Sequence, residues 1–188
     1  MRALSLITLS ILVASTAHAE PEKGRGHHVA ITISPVHLAL NIVELQAEIY
    51  AAPKISVGVI VGTGSVPPKI IDDPAITEPI DVTEYGAQIR YYFYGTSEEG
   101  AFVGGEFLQV DADTKSQGIS AVGSGFAVGP MVGYKWVWGG FVLDLGFGAA
   151  KILLDAEAEG QVGNEMVKAT ESKTETVPIV NINLGWAF

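Results

Sequence analysis

The stretch that decides the fold is Val180-Asn181-Ile182-Asn183-Leu184-Gly185-Trp186-Ala187-Phe188. From Val180 to Trp186 every second residue is apolar, with Asn or Gly between. A period of two marks a β-strand with two unlike faces. The pattern recurs upstream. Val43, Leu45, Ala47 and Ile49 interleave with Glu44, Gln46 and Glu48. Tyr85, Ala87, Ile89, Tyr91 and Phe93 interleave with Gly86, Gln88, Arg90 and Tyr92. Leu143, Leu145 and Phe147 interleave with Asp144, Gly146 and Gly148. Along the chain this predicts eight strands, at about 28–36, 42–51, 55–63, 82–94, 101–110, 124–138, 141–152 and 177–188.

Composition narrows what such strands can build. The 188 residues are 48% hydrophobic and 17% charged, with a formal net charge of −10 and no cysteine. Mean hydropathy is +0.32, as for a membrane protein. Yet beyond the first segment no run of about 20 apolar residues could form a spanning helix. The acidic balance argues against nucleic acid as a partner. Zero cysteine excludes a disulfide scaffold, a thiolate zinc site and a cysteine nucleophile. No cofactor is expected.

Residues 1–19 are expected to be a cleaved signal peptide. Arg2 supplies the positive start, Ala3 to Ala14 the apolar stretch, and Ala17-His18-Ala19 the cleavage site. Residues 20–27 then form a polar lead-in, and 28–188 a single barrel domain.

The connections alternate in length. Those near Pro53-Lys54, 95–100 and Gly139-Gly140 are short; 64–81, 111–123 and 153–176 are long and polar. That alternation is expected of an all-β, eight-stranded antiparallel up-and-down barrel in an outer membrane, with its short turns in the periplasm. The first outer connection, Val36 to Asn41, is a short apolar exception.

Three features set apolar side chains outward. The polar face is rich in glycine, which suits a narrow lumen where small and large residues must alternate. Tyr91, Phe93, Trp136, Trp138, Phe141, Trp186 and Phe188 fall near the short-turn end, as an aromatic belt at one membrane interface would. Of 21 acidic residues, twelve lie in the long connections and five in strands, all on the polar face.

Those five, Glu44, Glu48, Glu84, Glu106 and Asp144, with Arg90 and Lys135, are expected to form an ionic network inside the barrel, because buried charges need partners. A hairpin turn at Gly139-Gly140 sets Lys135 opposite Asp144, Trp136 opposite Leu143 and Tyr134 opposite Leu145. A five-residue loop, Thr96 to Gly100, would set Arg90 opposite Glu106. Pro130, in mid-strand, implies a bulge. Pro178 is expected near the start of its strand.

The terminal strand, with Trp186 and the final Phe188, resembles the C-terminal assembly signal of Gram-negative outer-membrane barrels. With the signal peptide and eight strands, the chain resembles small barrels typified by the OmpA membrane domain and OmpX. The resemblance implies an assembly signal at Phe188, recognition by the outer-membrane assembly machinery, contact with outer-membrane lipid and lipopolysaccharide, and an interior plugged by ionic pairs.

Some barrels of this class modify lipid A, using a His-x-Ser pair. None of His27, His28 and His37 has Ser two residues on. Ser34, His37 and Glu44 are the one conceivable triad. His27 and His28 are expected in the solvated lead-in rather than on a metal. Asp72, Asp73, Glu78, Asp155, Glu157 and Glu159 could meet divalent cations or simply solvent. Lys151 has lipid-facing parity at the outer rim. Gly62-Thr63-Gly64 and Gly123-Ser124-Gly125 match no phosphate loop. The expected function is non-enzymatic: a structural or surface-exposed barrel at the outer membrane, presenting acidic loops to an unknown partner. A narrow solute pore and a lipid A-modifying enzyme are the alternatives.

Overall fold

The computed structural model describes residues 26–70, 78–116, 119–162 and 165–188. The expected signal peptide and the lead-in up to residue 25 lie outside them, as do Asp72 and Asp73. Eight strands follow in order: β1 (Val29–Ile33), β2 (Ile42–Ala52), β3 (Ile55–Val66), β4 (Ile80–Gly95), β5 (Gly100–Ser116), β6 (Ile119–Trp138), β7 (Phe141–Val162) and β8 (Glu165–Ala187). Each pairs antiparallel with the next, and β8 returns to β1 to close a barrel.

The seam runs from Ala30 opposite Ala187 to Ile33 opposite Leu184. Phe188 extends it: its N–H donates to the Val29 carbonyl at 2.8 Å, and its carbonyl accepts from His28 at 2.6 Å.

The faces are inverted relative to a soluble barrel. Val57, Val59, Val61, Ile89, Val132, Phe147 and Val180 are exposed, while Glu48, Ser56, Gln88, Arg90, Lys135, Asp144 and Asn183 are buried. A surface so apolar suits hydrocarbon, and closing the ring pairs backbone groups from strand to strand. Among the described residues no helix is long and apolar enough to cross a membrane; the crossing elements are the strands.

The register at Gly139-Gly140 is as expected: Lys135 faces Asp144, Trp136 faces Leu143 and Tyr134 faces Leu145. Elsewhere the structure corrects the sequence reading. β1 ends at Ile33, because Ser34 caps a single helical turn, α1 (Pro35–Ala39). The Ser34 hydroxyl accepts the His37 N–H at 3.4 Å, and Asn41 leaves the turn with φ of 65°.

Residues expected as loops at 111–123 and 153–176 are largely strand. The ladders run out to Ser116 opposite Ile119 and Val162 opposite Glu165. A hairpin solvated on both faces loses apolar alternation without losing its hydrogen bonds, so period alone misses it.

Pro130 makes no bulge. Pairing between β6 and β7 pauses at Gly129–Pro130, and the register is the same on either side. The bulges lie instead near two short turns, between Ile49 and Ala52 and between Tyr92 and Tyr94. Pro178 sits within β8 rather than near its start. It lies where β8 pairs with β7 alone, which suits a residue that lacks an N–H.

Glycine on the inner face is a steric requirement at Gly133. A Cβ there would lie 2.2 Å from the Leu145 carbonyl and 2.5 Å from the Phe102 ring. Gly133→Val is expected to lower unfolding free energy in urea by about 1–3 kcal/mol, as overpacking does, and to weaken the heat-modifiable gel band of the folded barrel. Val132→Leu, on the outer face, serves as the control. Equal effects of the two would show that residue 133 does not point inward.

Candidate functional site

The lumen divides into two layers. In the layer nearer the short turns, charges from four strands cross the barrel. Arg90 on β4 reaches Asp144 on β7, with Nη1 2.5 Å from Oδ2. Lys135 on β6 reaches Glu48 on β2, with Nζ 2.8 Å from Oε2. Arg90 Nη1 also lies 3.7 Å from Glu48 Oε1.

Neutral groups complete the set. The hydroxyls of Ser56 and Tyr92 both donate to Glu48 Oε1, Tyr92 at 3.0 Å. Arg90 Nη2 donates to Gln88 at 3.0 Å, and Lys135 to the Ser97 carbonyl at 2.6 Å. The Arg90 guanidinium lies 4.3 Å from the centre of the Phe102 ring, and the Lys135 ammonium 4.3 Å from that of Tyr50. Arg90, Lys135 and Asp144 are each at most 1% exposed. Two buried positive and two buried negative side chains thus compensate one another.

Adjacent strands did not determine these partners. Lys135 and Asp144 are opposite in register, yet each finds its closest counter-charge across the lumen. Arg90 is opposite Gly104, and it is Gln88 that faces Glu106. The bulge at Phe93 and a four-residue turn, 96–99, shift the register by two from that expected. Glu106 accepts instead from Asn181 at 2.9 Å.

That turn folds under the barrel, a feature the sequence reading missed. Ser97 and Glu98 are buried. The Ser97 N–H donates to the Pro53 carbonyl at 2.8 Å, and Lys54 donates to the Gly95 carbonyl. His27 is tied down rather than solvated, with Nδ1 3.4 Å from Glu98 Oε2. Beside this floor Ala30, Val137, Val142 and Ala187 pack with Tyr50. Gly95, with φ of 76°, was the one local signal of the inward fold.

The second layer lies toward the long hairpins. Glu44, Gly62 and Glu84 form one row across β2, β3 and β4. Gly62 leaves the space that Glu84 occupies: a Cβ there would fall 2.1 Å from Glu84 Oε1. α1 brings His37 to the same place, with Nδ1 3.5 Å from Glu44 Oε2 and 2.9 Å from Ser34 Oγ. Burial pushes the His37 ring below its usual pKa.

Ser34, His37 and Glu44 therefore meet, but not as a catalytic triad. A relay needs the hydroxyl on one ring nitrogen and the carboxylate on the other, and here both approach Nδ1. Around and beyond this cluster the inner face turns apolar, with Ile42, Ile60 and Val82 buried and Leu108, Val110, Ile152 and Ile179 partly so.

The expected belt residues are outward. Tyr91, Phe93, Trp138, Phe141, Trp186 and Phe188 are exposed. Tyr134, Trp136, Trp138 and Phe141 form a run with successive ring centres 4.4, 6.3 and 6.1 Å apart. Lys151 is exposed. At the long-hairpin end Glu78, Asp81 and Asp113 line a cavity of about 550 Å³ with Ser65, Pro79 and Thr114.

Cutting the Lys135–Glu48 pair tests the lower layer. Lys135→Met is expected to destabilise the barrel in urea by about 3–5 kcal/mol, because it strands a buried carboxylate. Lys135→Met combined with Glu48→Gln should recover more than half of that. Strict additivity of the two single effects would count against the pairing.

No protein-family model and no curated protein sequence matches the chain. In structure it is similar to the outer membrane protein AlkL, determined by solid-state NMR in DMPC lipid bilayers. The TM-score is 0.54 over 92% of this chain and 97% of AlkL, at 11% identity. That identity speaks for the fold alone. The chain has the fold of a small eight-stranded outer-membrane β-barrel.

Proposed function

We propose that the chain is an integral protein of the bacterial outer membrane with a structural or surface role and no enzymatic one. The observation that supports this reading is the compensated charge layer: Arg90, Lys135, Glu48 and Asp144 meet across the lumen beside the inward-folded 96–99 turn. Eight strands enclose little free space even without such a filling. In this reading the short turns face the periplasm and the long hairpins β5–β6 and β7–β8 stand outside. Their acidic residues, Asp155 and Glu157 among them, meet the medium and the lipopolysaccharide surface. Phe188, already part of the seam, serves as the assembly signal.

Planar-bilayer recording tests the plug. Wild type is expected to give no single-channel steps, while Arg90→Ala with Lys135→Ala should give them. Steady channels in the wild type would replace the plugged reading with the pore.

A second reading, entry of a small apolar solute from the long-hairpin end, is favoured by the inner face formed by Ile42, Val82, Leu108, Val110 and Ile152. Beside it, among the described residues, β8 has no strand partner on its β1 side between residues 165 and 183. Such entry needs no conductance. An apolar fluorophore should then bind the folded wild type in micelles and bind Leu108→Glu with Ile152→Glu several-fold more weakly. Equal binding to both would sink this reading.

A further inference from the structure

Charge in the lumen is compensated in one layer and left over in the other. Arg90 and Lys135 are engaged by Glu48 and Asp144. Among the described residues no lysine or arginine lies in ion-pair range of Glu44 or Glu84; their cationic neighbour is at most the His37 ring. Both carboxylates are buried and lie in hydrogen-bond range of each other, and Glu84 Oε1, like Asp144 Oδ1 in the other layer, has no hydrogen-bond donor among the described residues. A buried carboxylate oxygen with nothing to accept from is costly.

The surrounding groups suit one remedy. A ligand atom of His37, one of Glu44 and one of Glu84 all lie within 4.8 Å of one another. They come from three separate elements, α1, β2 and β4. The Ser34 hydroxyl, 2.9 Å from Nδ1, shares that nitrogen with Glu44 and would yield it to an ion bound there. Gly62 leaves the room over β3 that the Glu84 side chain fills on its way toward Glu44.

We propose that His37, Glu44 and Glu84 bind one divalent transition-metal ion, of the zinc type, at the outer end of the lumen. One imidazole and two carboxylates supply three protein ligands and leave a position for water. Two glutamates match the charge of the ion. A nitrogen ligand favours zinc and its neighbours over magnesium or calcium, which prefer oxygen throughout. Modest side-chain rotation would bring each donor to the roughly 2.0–2.2 Å that zinc requires. The ion would tie α1 to the barrel wall and so fix the one short, helical connection on this rim.

Equilibrium dialysis against Zn²⁺, with metal analysis of the full-length mature protein in micelles after chelator treatment, tests this. Wild type should retain about one zinc per chain and keep it in excess Mg²⁺. His37→Ala and Glu84→Gln should each weaken binding at least about tenfold, since even the loss of an outer partner costs that much. His27→Ala with His28→Ala should leave binding unchanged, which separates the lumen from the lead-in. The heat-modifiable band confirms that each variant is folded. Wild type that retains no zinc, or zinc that follows His27 and His28 rather than His37 and Glu84, would overturn the assignment.

Discussion

The crossing of Arg90 to Asp144 and Lys135 to Glu48 is the interaction on which the rest of the lumen depends. Four long side chains from four strands can meet only if the opposite walls are close, which eight strands ensure. They can remain charged only if every charge has a counterpart, because the side chains are buried. Ser56, Tyr92 and Gln88 then have fixed tasks as donors and acceptors around the quartet. Neighbouring inner-face positions must stay thin to leave this space: Gly58 lies beside Glu48 and Gln88, and Gly104 beside Arg90.

Much of this was legible in the sequence, and the limits have physical causes. Alternation along 180–188 gave the inverted faces, and a two-residue turn at Gly139-Gly140 set the β6–β7 register. Both depend on neighbours in the chain. The partner of Arg90 did not follow, for two reasons. A bulge at Phe93 moves the register without leaving a mark in the hydrophobic pattern. More generally, contacts across the lumen depend on ring closure, so adjacency in the sheet says little about which acid a base will meet. The same holds for the 96–99 turn, whose Ser97 carbonyl completes the shell of Lys135 only because the turn folds under the barrel. At the outer hairpins the error ran the other way: β-strands were hidden by polar residues on both faces.

The uneven rim traces to one local event. Pro35 and the Ser34 cap stop β1 after five residues, so β8 finds only four partners there, against twenty-two on β7. The unpaired edge of β8 at membrane depth would be a liability if left bare. α1 lies against both β2 and β8 at this point, so the residues that end the strand also screen the gap. The same turn carries His37 toward the lumen, where an ordinary strand would have placed a residue facing either lipid or core.

Glycine on β3 links the two layers. Gly58 lies between Glu48 and Gln88 in one row, and Gly62 between Glu44 and Glu84 in another. In both rows a missing side chain lets polar groups converge from the flanking strands over a bare backbone. The lower convergence is met by cations from β4 and β6. Among the described residues the upper one is met by no lysine or arginine, although the spacing on β2, β3 and β4 is the same. Had compensation alone governed the sequence, Gln88 and Glu84 could exchange places at little steric cost, and the acid would then sit near Arg90. A carboxylate kept four residues further out, over a glycine and beside an imidazole, is better explained by something that binds there than by the needs of the barrel wall.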